Sequence, residues 1–99
     1  MEPARYEWDE AKRVENLAKH GVDFHAIRGF DWSLAIVHPD ERFPYGEERF
    51  IAHGPVEGRL YAIVYTLRDE TTRIVSFRKA NRLEQAAYAP AILARLARG

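Results

Sequence analysis

Arg78, Lys79 and Arg82 fall within five residues of one another, where a strand-like run meets the start of a helix. Guanidinium groups bind phosphate oxygens through paired N–H donors and stay charged at any working pH. The unpaired backbone N–H groups of a helix start beside them add a weak anion site. This cluster therefore predicts contact with a phosphodiester. The charge distribution agrees: residues 1–48 hold 11 Asp/Glu against 6 Lys/Arg, whereas residues 71–99 hold 6 Lys/Arg against Glu84 alone. A chain of zero net charge with such a gradient has a pole suited to a polyanion, unless the two halves neutralise each other on folding.

The elements that must position this cluster are legible from spacing. Asp9 predicts an N-cap for a helix through "EAKRVENLAKHG", with Ala11, Val14, Leu17 and Ala18 as its buried side. Gly21 falls where a left-handed cap belongs, with Val22 then touching Leu17. Asp23 predicts a cap for a second short helix, "FHAIRGF", whose Phe24, Ile27 and Phe30 face the first. Strands are expected over "SLAIVH", Arg49 to Gly54, "RLYAIVYTL" and Arg73 to Phe77, with "PDERFPYGE" a loop, "GPVEG" and "RDETT" turns, and a short edge strand possible at Arg5 to Trp8. "RLYAIVYTL" is apolar on both sides and belongs centrally. Asn81 and Glu84 have capping-box spacing, and Pro90 is expected to break or restart the last helix. The fold class is α+β: two N-terminal helices, a four-stranded antiparallel meander with helices on one face, and a C-terminal helix, in one domain over residues 1–99.

Composition narrows the function classes. The chain is 46% apolar and 30% charged, as an ordinary soluble domain is, and has no cysteine. Disulfides, thiolate catalysis and cysteine zinc sites are thereby excluded, which suits the cytoplasm. No apolar run approaches a membrane span and the start "MEPARYEWDE" has no signal-peptide pattern, so neither is expected, and no phosphate-binding loop or dinucleotide fingerprint is found. His25, His38 and His53 lack metal-ligand spacing, so no metal and no cofactor is expected.

Three stretches carry a family resemblance: "YEWDEAKRVENLAKHGVDF", "GEERFIAHG" and "RLYAIVYTLRDETTRIVSFRKANRLE", followed by Tyr88. Within them, Tyr6-Glu7-Trp8-Asp9, then Asn16 with Lys19-His20-Gly21-Val22, and Arg73-Ile74-Val75-Ser76 with Arg78 and Ala80 are the specific matches. The chain resembles the BrnT toxin family, ribonuclease halves of type II toxin–antitoxin pairs. That resemblance implies a RelE-like fold and metal-independent RNA cleavage. It also implies inhibition by a BrnA-like ribbon-helix-helix antitoxin, with operator DNA bound only through the complex.

RNA cleavage of this kind uses the substrate's own 2′-hydroxyl as nucleophile, so the protein must supply proton transfer and cations for the crowded phosphorane. Arg78, at the family's S-x-R position, is the first candidate for the charge. The competing reading is an arginine paired with a carboxylate at a strand end, and neutralising it is expected to cost little in folding. His20 is the candidate for proton transfer, or else a cap on the helix carbonyls. Arg68 and Arg49 are expected at neighbouring strand ends, as further catalytic cations or in ion pairs with Glu47, Glu48, Asp69 or Glu70. Lys79, Arg82, Lys19 and Lys12 would hold RNA backbone, or be plain solvated charges. Tyr65 would stack on a base, or lie in the core. A non-catalytic binding module of the same fold is the alternative function.

Overall fold

A computed structural model describes residues 5–42, 44 and 46–99. Its elements in chain order are β1 (Arg5–Glu7), α1 (Glu10–His20), 3-10 helices Phe24–Gly29 and Trp32–Leu34, β2 (Ile36–Pro39), β3 (Phe50–Val56), β4 (Arg59–Arg68), β5 (Thr71–Lys79) and α2 (Arg82–Arg98). The sheet order is β1-β5-β4-β3-β2. β2 to β5 form the expected antiparallel meander, but β1 joins it as a fifth strand parallel to β5, so the sheet is mixed. The second N-terminal helix is 3-10 rather than α. Phe43 and Tyr45, within the expected loop, lie outside the described residues. Among the described residues no helix is long and apolar enough to cross a membrane.

The core lies between one sheet face and the 3-10 segments. Ala52, Ile63, Phe77, Tyr65 and Ile74 from the strands meet Phe24, Ile27 and Phe30. Gly54 makes this packing possible: a Cβ there would stand 2.6 Å from the Phe30 ring. Ile74 and Phe77 are both fully buried although three residues apart, which a regular strand forbids because its side chains alternate. A bulge resolves this. Val64 pairs with Ser76 and Tyr65 with Ile74, so Val75 is the extra residue that resets the phase. Downstream of it, Arg78 faces away from the core.

Helix α1 departs most from expectation. Its predicted buried residues Val14 and Leu17 are exposed, and its one buried residue is Asn16. The reason is placement. β1 pairs only with residues 71–73, leaving the later edge of β5 without a strand neighbour. The Asn16 amide fills that edge: Nδ2 donates to the Phe77 carbonyl (2.7 Å) and to Val22 O (3.0 Å), and Oδ1 accepts from Phe77 N–H (3.2 Å). A helix against a strand edge needs a polar contact there, because unpaired ladder groups are costly when buried.

Helix α2 runs unbroken through Pro90, contrary to the expected break. Tyr88 before it and Arg95 after it donate to carbonyls of Leu34, Ala35 and Ser33, which ties both sides of the proline to the segment entering β2. Nor do all helices share one face. The first turn of α2 meets His53 and Arg78, both on the side of the sheet opposite the core.

Candidate functional site

The site grows from one row of the sheet. His53 on β3 pairs with Ala62 on β4, and Ala62 pairs with Arg78 on β5. Directly paired residues share a face, so imidazole and guanidinium stand on either side of a methyl group. The small residue leaves a gap, and Glu84 from α2 fills it. Its carboxylate accepts from Arg78 Nη1 at 2.7 Å and Nη2 at 2.9 Å, and lies 2.8 Å from His53 Nε2. The Asn81 N–H adds a fourth contact at 2.8 Å, the reciprocal half of the capping box.

Electrostatics make this a permanently charged centre. Burial pushes the Glu84 carboxyl up. The bonds from Arg78, the Asn81 N–H and His53, together with the Arg78 charge, outweigh it and hold the pKa at about 2. An ionised acceptor requires a donor opposite, so His53 carries its proton on Nε2. Its Nδ1 meets no partner among the described residues. Arg78 also donates weakly to the Lys79 carbonyl at 3.3 Å. Of the five guanidinium N–H groups, Nε–H and one on Nη2 remain unused.

Beside the row lie two depressions. One, of about 310 Å³, runs along α2 past His53 and Glu84, with Ile36, Leu83, Ala87 and Tyr88 among its walls. The other, of about 150 Å³, lies between α1 and β5, where Lys12, Lys19 and His20 meet Ser76. Burial pushes the His20 pKa below its usual value, and the charges of Lys19 and Arg78 add to the effect. His20 is therefore neutral at neutral pH, which counts against the reading of a cationic cap on the helix carbonyls.

The sequence candidates are only partly assembled. His20, Lys19 and Lys12 share the depression at the flank of β5, within reach of the Arg78 charge, the lysines exposed and without ion pairs among the described residues. Arg49 and Arg68 do approach one another, but through a carboxylate, at 3.4 and 3.8 Å from Glu47. Arg68 lies six residues along β4 from Ala62, roughly 20 Å away, and Arg49 stands four residues before His53, roughly 13 Å away. One pocket does not hold all three arginines. Lys79 pairs in register with Tyr61, on the core side of the sheet, so it diverges from Arg78. Arg82 is exposed on the first turn of α2. Tyr65 is buried against Trp32 and Phe50, as its competing reading had it, and no base can stack there. Arg78 itself has the carboxylate partner of its competing reading, and its side chain is only 26% exposed, so it contributes more to folding than a solvated strand end would.

His53 and Glu84 are the residues that sequence reasoning passes over. Glu84 reads locally as a helix cap, and His53 has no informative neighbour in the chain. Their meeting depends on strand register across Ala62. The alternation of "RFIAHG" against "RLYAIV" is the one signal that could have aligned them.

Comparison with known proteins adds one finding. The family model described as the ribonuclease toxin, BrnT, of type II toxin–antitoxin systems matches residues 8–84. No curated protein matches the chain. The matched span ends on Glu84 and includes every residue of the His53–Ala62–Arg78 row.

Proposed function

Because the chain belongs to the BrnT family of type II toxin–antitoxin ribonuclease toxins, we propose that it is an endoribonuclease that cuts RNA without a metal ion, at the sheet face bearing Arg78. The 2′-hydroxyl attacks the adjacent phosphorus, leaving a 2′,3′-cyclic phosphate and a 5′-hydroxyl. The observation that carries this reading is the state of Arg78. Glu84 fixes the guanidinium plane while two N–H donors stay unspent, and the groove that Glu84 and His53 line opens beside the same carboxylate. A preset donor pair aimed at developing charge needs no reorganisation during reaction. The arrangement differs from a pocket of several arginines: one oriented cation acts, and Lys12 and Lys19 hold the strand to one side.

The RelE-like assignment belongs to the same proposal, as does action in the cytoplasm, where RNA is accessible. A type II toxin has an antitoxin partner. We take it to be BrnA-like, a ribbon-helix-helix protein that makes the operator contacts of the complex. Exposed Leu83, which walls the groove, and Leu93 and Leu96 farther along α2 supply apolar surface for its inhibitory segment.

One observation favours the second reading, a non-catalytic module: Arg78 spends its best-aligned bonds on Glu84, and Arg49 and Arg68 are remote. Substitution at Arg78 separates the two. Induced wild-type chain is expected to arrest growth and leave RNA fragments with cyclic phosphate ends. Arg78→Ala and Arg78→Lys should lose about 100-fold or more in cleavage. The lysine variant keeps the charge opposite Glu84, and a thermal melt checks its fold. Equal, harmless behaviour of wild type and both variants without antitoxin would establish the module.

A further inference from the structure

We propose that His53 is the general base of the cleavage reaction and that Glu84 is the residue that positions it. This rests on the ribonuclease reading and assigns the proton transfer that His20 had been expected to perform.

Three observations converge on His53. Its Nε2 is bonded to a carboxylate that is ionised at every physiological pH, so the neutral ring presents its lone pair at Nδ1. A histidine whose far nitrogen is fixed by a carboxylate has its ring orientation and tautomer set before substrate arrives. The side chain is 15% exposed and Glu84 16%, so both are shielded yet reachable. The groove of about 310 Å³ then opens directly beside the ring, with the apolar walls Ile36, Leu83 and Ala87 and the Tyr88 ring, suited to a nucleoside. His20 lacks an equivalent: no carboxylate orients it, and it lies on the far side of Arg78.

Proton and bond changes balance without a further reactant. Nδ1 of His53 takes the 2′-hydroxyl proton as the 2′-oxygen bonds to phosphorus. The phosphorus–5′-oxygen bond breaks, and the leaving oxygen takes a proton from water. The imidazolium then returns its proton to solvent. Positive charge gathered on His53 during this step is stabilised by Glu84, which also holds Arg78 on the other side of Ala62. One carboxylate thus aligns the base and the cation.

The groups facing His53 are Glu84 and Tyr88 from α2, Arg78 beyond the carboxylate, and His38 from β2. His38 lines the same groove without a bond to Glu84, so it lacks the tautomer lock.

The test uses the purified chain and an oligoribonucleotide carrying a cleavage site mapped on cellular RNA. His53→Ala should lower kcat by about 10²–10⁴-fold with KM nearly unchanged, and added imidazole should restore part of the rate. With sulfur replacing the 5′-leaving oxygen, which removes any need for an acid, the variant should remain slow. Glu84→Gln preserves the capping-box geometry and should lower kcat by roughly tenfold or more at constant KM. Wild-type rates in His53→Ala overturn the assignment and leave the ribonuclease reading standing. Recovery of that variant on the sulfur substrate makes His53 the acid and also overturns it. Absence of cleavage by wild type removes the ribonuclease reading and this one together.

Discussion

Replacing Glu84 with glutamine tests the electrostatic account of the site independently of activity. In the folded chain the carboxyl titrates at about 2, against a usual value of 4.5. A carboxyl whose pKa is depressed by folding stabilises the native state wherever it is ionised. That stabilisation is complete above the unfolded value, shrinks as pH falls below about 4.5, and is gone near 2. The difference corresponds to about 3 kcal/mol at neutral pH. Glutamine keeps the shape and can still satisfy the Asn81 N–H, so the helix start survives. It removes the charge that Arg78 and His53 are set against. Urea denaturation of both proteins, at pH values stepping from neutral to about 2, gives the gap in unfolding free energy. Glu10 and Asp23, whose pKa values are also lowered, titrate in both chains and cancel from the difference. The gap should be widest at neutral pH and close through the window from 4.5 to 2. A gap of constant size across that window would mean that Glu84 is not the group whose ionisation the fold depends on, and the charged centre described above would be wrong.

Two further substitutions probe the frame around the site. Asn16→Ala removes three buried hydrogen bonds at the β5 edge, a loss of about 3 kcal/mol; Tm should fall by roughly 12–24 °C and the Phe77 amide should lose exchange protection, whereas a loss under about 1 kcal/mol would show that water replaces the amide there. Gly54→Ala forces a methyl against the Phe30 ring, at 2.6 Å before relaxation, and should cost about 1–3 kcal/mol with no change in the groove beside His53; a melt unchanged from wild type would show that the ring moves freely.

Where sequence reading succeeded, the information was local. The Asp9 cap, the left-handed Gly21 and the Asn81–Glu84 box each depend on residues within a turn of one another, and each is present. β4 was legible because both of its faces are buried, which leaves an unbroken apolar run. The failures have separate physical origins. α1 looks amphipathic, but a helix seated on a strand edge is anchored by hydrogen bonds, so the amide is buried and the apolar stripe is not. Arg73 to Phe77 looks like regular alternation, yet the core needs both Ile74 and Phe77, and the bulge at Val75 that reconciles them leaves no mark in composition. Arg78 and Lys79 looked like one cluster because they are adjacent in the chain. In a strand, adjacency places them on opposite faces.

Glu84 shows why local and long-range readings must be combined. As a helix cap it contributes about 1 kcal/mol to starting α2, and any Glu or Gln three residues after Asn81 would serve. A cap alone would leave the carboxylate at the surface, fraying with the helix end. Here the same carboxylate reaches over Ala62 to His53 and Arg78, so the side chain that closes the first turn of α2 also holds the row in place. That coupling makes a definite demand on position 62: a larger side chain would displace the carboxylate and release both partners at once. The residue with no chemistry of its own is therefore the one on which the geometry of the other three depends.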